Sequence, residues 1–183
     1  MKIQAPPRWR PRLSRQNDNL PLLDWLRERD SLTARLRRGS RSFQVRCLRQ
    51  ALEALGPDEA ACLGARPGRL VWVREVLLLV NERPAVFAHT VMTRRPRHPF
   101  DLRFAALGSH SLGSLLFSDP RIARGPLEFR PLDRRHLLYR RAEQACGPLP
   151  PRLWARRSRF GRQAKGVLVT ELFLPPVLDL PGT

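Results

Sequence analysis

The stretch RLVWVREVLLLVNERPAVFAHTVMT, Arg69 to Thr93, predicts two apolar strands joined by a turn at Asn81 to Pro84. A second pair of the same kind, LWARRSRFGRQAKGVLVTELFLP, stands near the end of the sequence and turns between Gly161 and Lys165. Strands linked by hairpins, with the helical patterns gathered near the start, are typical of an antiparallel sheet covered by helices. We therefore predict an α+β domain built on a single antiparallel sheet.

The remaining segments are interpreted from apolar spacing and turn residues. LPLLDWLRERDSLTARLRRGS predicts two short helices, the second capped by Asp30 or Ser31 and ended by Gly39. SFQVRCLRQ predicts a strand, PLEFRPL an edge strand because of its prolines, and FAALGSHSLGSLLF a short helix with glycine turns. PDEAACLGARPGR is interpreted as a loop. Residues 1–18 are interpreted as a loose basic arm that precedes one domain over residues 19–183.

The charge balance of the chain suggests an anionic partner. Its 34 basic and 16 acidic residues give a formal charge of +18, an excess that is common in proteins that bind nucleic acid. All the basic residues except Lys2 and Lys165 are arginine, a skew that GC-rich coding produces by itself. Because no groove-reading or RNA-stacking module occurs, we expect no obligatory nucleic-acid partner. An anionic small molecule remains compatible with the charge.

Targeting and redox signals are few. The chain start is basic but lacks the apolar stretch of a secretory signal, and LVWVREVLLLV is too short and too charged to span a membrane. The three cysteines form no CxxC pair and are interpreted as free thiols in a reducing compartment: Cys47, Cys62 and Cys146. We expect a cytoplasmic monomer.

No cofactor motif is present in the sequence. The four histidines stand apart without metal-ligand spacing: His89, His98, His110 and His136. A P-loop, a dinucleotide fingerprint and a nucleophile elbow are also missing. Chemistry without a metal or cofactor, or simple binding, is the remaining expectation.

Two charged residues stand inside apolar strands. Glu171 is predicted to share its strand face with Val167, Val169 and Phe173, and Arg74 with Trp72, Val76 and Leu78. A buried carboxylate is costly unless it is paired, so Arg74 is the candidate partner of Glu171. The pattern leaves two interpretations open. One is a structural salt bridge; the other is a ligand pocket in which the arginine binds a carboxylate and the glutamate holds a hydroxyl or moves a proton.

Five segments in this order resemble the chorismate pyruvate-lyase family, bacterial enzymes that make 4-hydroxybenzoate for ubiquinone: LLDWLRERDSLTARL, VWVREVLLLVNERPAVFAHTVM, LGSLLF, ARRSRF and VLVTELFLP. The resemblance runs from about Leu20 to Pro176 and is strongest at WVREVLL and TELFLP. It implies one antiparallel sheet with a ligand enclosed under helical flaps. It also implies that chorismate is converted to 4-hydroxybenzoate and pyruvate without a cofactor, by an elimination that makes the ring aromatic.

The resemblance implies roles for four residues. Arg74 would bind the ring carboxylate and Glu171 the ring hydroxyl, as the catalytic pair. Leu32 and Leu112 would contact the ligand from two flaps. At His89 the family motif leads us to expect arginine instead. Orientation and electrostatics are all that such an elimination requires from the protein. Whether Glu171 transfers a proton or positions the hydroxyl stays open.

Other interpretations follow from the same sequence. Arg156 and Arg157 either face the second carboxylate of chorismate or form a solvated strand face. The segment between Asp119 and Pro151 is interpreted as an insertion, since the resemblance is weakest there. Two alternative functions are a ligand-sensing domain, like the effector domains of some transcription regulators, and a basic nucleic-acid-binding protein.

Overall fold

Six strands form one antiparallel sheet in a computed structural model: β1 (Phe43–Ala54), β2 (Leu70–Val80), β3 (Arg83–Met92), β4 (Glu128–Leu132), β5 (Leu153–Phe160) and β6 (Val167–Phe173). Their order across the sheet is β1-β2-β3-β6-β5-β4. The structure describes residues 8–13, 19–93, 104, 106–108, 110, 112–117, 122–161 and 166–181. The predicted α+β class, with its single antiparallel sheet, is confirmed.

Helices pack on both faces of this sheet: α1 (Leu23–Arg27), α2 (Leu32–Arg38), α3 (Pro57–Leu63), α4 (Leu112–Phe117) and α5 (Leu137–Cys146). Short 3-10 helices cover Leu20–Leu22 and Pro175–Asp179. The Ser31 hydroxyl accepts a hydrogen bond from the Ala34 amide at 3.3 Å, which caps α2. The helix ends at Gly39, so the predicted boundaries of α2 are confirmed.

The two predicted hairpins are confirmed. β2 and β3 are joined by Asn81 and Glu82, whose φ angles of 48° and 67° are those of a tight two-residue turn that matches strand twist. β5 and β6 pair from Phe160 opposite Val167. A Cβ atom on residue 166 would lie 2.7 Å from the Phe160 carbonyl oxygen, so glycine is required where β6 begins.

The two faces of the sheet carry separate apolar cores. One face packs against α1, α2 and α4, through side chains such as Val76, Ala88 and Phe173. The other face packs against α3 and α5, through side chains such as Leu77, Phe87 and Leu172. Because both faces are covered, β2 and β3 are apolar along nearly their whole length, with few polar positions. Four polar residues in these strands therefore lie inside the protein: Arg74, Glu75, His89 and Thr90.

Two helices were missed or misread from the sequence. PDEAACLGARPGR was predicted to be a loop, and that prediction is wrong because Pro57–Leu63 forms α3. Its proline and glycines are helix boundary signals: Pro57 occupies the first turn, and Gly64 ends the helix with a φ of 61°. Helix α5 lies in the segment interpreted as an insertion, where no helix was predicted. The edge position predicted for PLEFRPL is confirmed, since β4 ends the sheet.

Part of the predicted arm lies against the sheet. Of residues 1–18, residues 8–13 are described, and Arg10 forms an antiparallel bridge with Phe129 of β4. The Trp9 indole N–H donates to Asp58 Oδ2 at 2.8 Å, and the Arg157 guanidinium lies 4.4 Å from the centre of the Trp9 ring. No helix in the described part of the chain is both long and apolar enough to cross a membrane.

Candidate active site

A cavity lies between the sheet and helices α2 and α4. Most of its wall is apolar and comes from the strands and from α4: Val45, Val76, Leu78, Ala88, Leu116 and Val169. The four residues assigned to the site by resemblance all line it: Leu32, Arg74, Leu112 and Glu171. The structure thus brings together side chains from positions 32 to 171 of the sequence, as an enclosed ligand pocket requires.

The helices place Leu32 and Leu112 over the cavity. Leu32 is the first residue of α2, directly after the capping Ser31, and Leu112 is the first residue of α4. Both side chains are buried, at 3% and 8% exposure. Each therefore covers apolar wall that would otherwise meet water.

Arg74 lies on the cavity side of β2 and is buried. Its Nη2 donates to the carbonyl oxygens of Gly108 and His110, at 2.9 and 2.8 Å. Its Nε has no hydrogen-bond partner among the described residues. Burial lowers the pKa of the Arg74 guanidinium, yet the group remains charged because an arginine loses its proton only far above neutral pH. Arg74 Nε is therefore a donor that no described residue uses, in a largely apolar pocket.

Glu171 pairs with Arg156 and not with Arg74. Glu171 Oε2 accepts a hydrogen bond from Arg156 Nε at 2.6 Å. Glu171 and Arg74 are on strands separated by β3, so their backbones are roughly 10 Å apart, two strand spacings. The sequence prediction of an Arg74–Glu171 pair is wrong, and so is the structural salt bridge that it implied.

Arg156 is fixed by several acceptors. Its Nη1 donates to the carbonyl oxygens of Trp25 at 3.0 Å and Glu28 at 2.6 Å, in and just after α1. The side chain is 0% exposed, so the interpretation of Arg156 as part of a solvated strand face is wrong. The hairpin would have revealed its partner: counting outward from Phe160 opposite Val167 places Arg156 opposite Glu171.

Arg157 lies on the opposite face of the sheet. Its guanidinium donates to Glu128 Oε2 at 2.7 Å and Asp58 Oδ2 at 3.1 Å. It is buried too, so neither interpretation made from the sequence describes it. Arg157 does not line the cavity and cannot contact a ligand there.

Arg124 is a cavity residue that the sequence did not indicate. Its Nε donates to Ser158 Oγ at 3.0 Å and its Nη1 to the Arg29 carbonyl oxygen at 2.6 Å. Burial and the nearby Arg156 charge lower the pKa of this guanidinium. Arg124 and Arg156 together hold the segment that connects α1 to α2, and α2 carries Leu32.

His89 belongs to a buried charge cluster on the face opposite the cavity. Its Nδ1 lies 2.9 Å from Glu75 Oε1 and its Nε2 lies 2.9 Å from Glu59 Oε1. Arg141 of α5 donates to both Glu75 and Glu53. Burial alone would lower the pKa of His89, but the two carboxylates outweigh it and raise the pKa to about 8. The departure from the family motif at His89 therefore lies outside the cavity wall.

Potential metal ligands do not cluster in the described residues: no group of three or more histidine, cysteine, aspartate or glutamate side chains is arranged to hold an ion. The cavity instead offers the guanidinium groups of Arg74, Arg124 and Arg156, the carboxylates of Asp30 and Glu171, and apolar surface. These groups can bind and orient an anionic ring compound with a hydroxyl group.

The sequence matches known proteins along most of its length. The family model described as chorismate lyase matches residues 7–180. A probable chorismate pyruvate-lyase of Aromatoleum aromaticum is 46% identical over 175 residues, covering 94% of this chain and 95% of that protein. One of Nitrosomonas europaea is 37% identical over 180 residues, covering 98% of this chain and 100% of that protein.

Solved structures of transcription regulators share the fold. The C-terminal domain of PhnF has a TM-score of 0.56 at 19% identity, covering 75% of this chain and 86% of that domain. A GntR-family regulator from Bacillus cereus has a TM-score of 0.54 at 15% identity, covering 77% of this chain and 97% of that one. At such identities the likeness extends to the fold alone.

Proposed function

The chain belongs to the chorismate lyase family, and from that premise we propose that its cavity converts chorismate to 4-hydroxybenzoate and pyruvate. The observation that carries the proposal is the placement of Arg74 and Glu171 in one apolar cavity with a single strand between them. An aromatic ring with a carboxylate at one end and a hydroxyl at the other spans such a gap. Leu32 and Leu112 would cover the ring.

Arg74 is the proposed anchor for the ring carboxylate. Its Nη2 is committed to two carbonyl oxygens, while its Nε has no partner among the described residues. A buried charged donor left unpaired is costly, and an anionic ligand would remove that cost. The carbonyl contacts also hold the guanidinium in place, so binding requires little reorganisation.

Glu171 is the proposed acceptor for the hydroxyl group. Its carboxylate is paired with Arg156, and an ionised carboxylate accepts hydrogen bonds only. Glu171 then orients the carbon that carries both the hydroxyl and the hydrogen to be lost.

The elimination balances without an added reactant. The bond from hydrogen to the hydroxyl-bearing ring carbon breaks, and its electron pair forms the last double bond of the aromatic ring. The neighbouring carbon–oxygen bond breaks, and its pair goes to the ether oxygen. The proton finally resides on the methylene carbon of the released group, which gives pyruvate. Holding the flexible ether in a reactive geometry is the main task of the protein.

The wider setting of the reaction is part of the proposal. The enzyme would act in the cytoplasm and without a cofactor. Its product would serve the ubiquinone pathway. Apolar walls and buried guanidinium groups suit an aromatic acid better than a polymeric nucleic acid. The cavity therefore argues against the nucleic-acid-binding protein, and the family match favours the enzyme over the sensing domain.

The direct test is to incubate the purified protein with chorismate and measure pyruvate and 4-hydroxybenzoate as they form. Equal amounts of both products, well above the spontaneous rate, are expected. A matched control is the Arg83→Lys variant, since Arg83 is exposed and pairs with Asp179 far from the cavity. Tight binding of 4-hydroxybenzoate without any pyruvate release would favour the sensing domain instead.

A further inference from the structure

Arg156 lies beside Glu171 with one end of its guanidinium unused. Nε is bonded to Glu171 and Nη1 to carbonyl oxygens of the α1 segment. Nη2 is buried and has no hydrogen-bond partner in the part of the chain that the structure describes. Arg156 also lines the cavity. Nη2 carries two of the five N–H donors of the side chain, and leaving them unpaired in a buried site is costly.

The unused donors of the cavity lie near its two ends. Arg74 Nε on β2 and Arg156 Nη2 on β5 have no hydrogen-bond partner among the residues that the structure describes, and β3 and β6 lie between these strands. A ligand with one carboxylate would satisfy one end only. A ligand with two separated carboxylates would satisfy both, and chorismate is such a ligand.

We propose that Arg156 binds the carboxylate of the enolpyruvyl group of chorismate through Nη2. This inference rests on the proposed function. In chorismate the enolpyruvyl ether is on the ring carbon next to the one that bears the hydroxyl. If Glu171 holds the hydroxyl, the enolpyruvyl group lies next to Glu171. Arg156 is the cation bonded to the Glu171 carboxylate, so it lies next to the enolpyruvyl group as well.

The same position suits the departing group. As the carbon–oxygen bond breaks, negative charge builds up on the enolpyruvyl oxygen beside the carboxylate that Arg156 holds. A guanidinium already fixed by Glu171 and two carbonyl oxygens stabilises that charge without moving. Arg156 thus acts on the leaving group, whereas Arg74 acts on the part of the substrate that remains as product.

Arg124 is less suited to this task. Its Nε is bonded to Ser158 and its Nη1 to the carbonyl oxygens of Arg29 and Asp30. The guanidinium is partly exposed, at the connection between α1 and α2. It supports the segment that leads into α2.

A pair of stable ligands tests the assignment: 3-(1-carboxyvinyloxy)benzoate, which keeps both carboxylates, and benzoate, which keeps one. Neither has the hydroxyl, so the role of Glu171 is removed from the comparison. Dissociation constants are measured by calorimetry for the wild type, Arg156→Lys and Arg157→Lys. Arg157 is the matched control, being the next residue in the chain, buried, and on the opposite face.

The wild type should bind the diacid more tightly than benzoate. In Arg156→Lys the ratio of the two dissociation constants should fall about tenfold, because lysine lacks the fixed fork. Its benzoate affinity should change by less than about twofold, and Arg157→Lys should keep the full preference. An unchanged preference in Arg156→Lys, or an equal loss for both ligands, overturns the assignment. An equal loss would mean that Arg156 only supports the fold.

A crystal structure of the wild type with the diacid covers the case in which Arg156→Lys does not fold. The second carboxylate should lie within hydrogen-bond distance of Arg156 Nη2, and a carboxylate bound elsewhere overturns the proposal. Failure of the proposed function is a separate result. The wild type could release no pyruvate and still prefer the diacid, with Arg156→Lys losing that preference. In that case the binding site proposed for Arg156 stands and the lyase assignment fails.

Discussion

Glu171 and Arg156 form an ion pair on the cavity side of the sheet, with Glu171 Oε2 2.6 Å from Arg156 Nε. They occupy directly opposed positions on the hairpin strands β5 and β6. Arg156 is fully buried, while Glu171 is 14% exposed in its side chain. The carboxylate proposed to orient the substrate is therefore held by a neighbouring cation, independently of Arg74.

Glu171→Leu should destabilise the fold because it leaves the buried Arg156 charge without its carboxylate. We expect the free energy of unfolding to fall by about 3–5 kcal/mol. Glu171→Gln should cost much less, since its amide oxygen can still accept from Arg156 Nε, yet it should lower turnover. Denaturant titrations and pyruvate release measure the two effects. Equal stability of both variants and the wild type would show that the ion pair contributes little.

Arg74→Lys should weaken 4-hydroxybenzoate binding by about 1–3 kcal/mol, because lysine keeps the charge but cannot present a planar fork. Calorimetric titration with 4-hydroxybenzoate measures the loss, and thermal melts report whether the fold is intact. The exposed Arg83→Lys serves again as the control. Unchanged binding in a folded Arg74→Lys variant would show that Arg74 does not bind the ligand carboxylate.

Stability should fall between pH 6.5 and 9 because of His89. Both ring nitrogens face carboxylate oxygens at 2.9 Å, and a neutral imidazole has only one N–H to donate. The pKa is raised to about 8 from 6.5, so the stabilisation is fully present below pH 6.5 and is lost as the pH rises through 8. A shift of this size corresponds to ~2 kcal/mol of unfolding free energy.

Denaturant titrations across this pH range test the His89 prediction. His89→Arg should lack the decrease, because a guanidinium stays charged throughout between Glu59 and Glu75. His136→Gln should keep it, since burial lowers the pKa of His136 to about 4, outside this range. If the unfolding free energy of the wild type is constant from pH 6.5 to 9, His89 is not a charged imidazolium that donates to both Glu59 and Glu75.

Trp9→Ala should lower stability by about 1–2 kcal/mol and leave turnover unchanged. It removes the hydrogen bond to Asp58 and the ring beneath the Arg157 guanidinium. Both partners lie on the face opposite the cavity. Thermal melts and pyruvate release measure the two quantities, with Arg8→Ala as a control in the same segment. A large loss of turnover with normal melting would place this segment in the catalytic machinery.

The sequence by itself determined the hairpins, the limits of α2 and four residues of the cavity wall: Leu32, Arg74, Leu112 and Glu171. Strand alternation assigns each side chain to a face, and turn residues set the register of a hairpin, so both are local properties. Alternation also indicated that Arg74 and Glu171 point into protein, and both line the cavity. The family motifs then indicated which apolar residues lie above them, Leu32 and Leu112.

Only the tertiary structure decided which charges meet. β3 lies between the strands of Arg74 and Glu171, and Glu171 pairs with Arg156, which takes the place that the sequence assigned to Arg74. The cluster around His89 joins Glu59 and Glu75 with Arg141, which lies 66 residues after Glu75 in the sequence. Ion pairs depend on strand order and on helices docking across the sheet. Contacts between elements that are distant in the sequence form when the chain buries its apolar faces, and no local pattern of residues records them, whereas the Arg156–Glu171 pair follows from hairpin register.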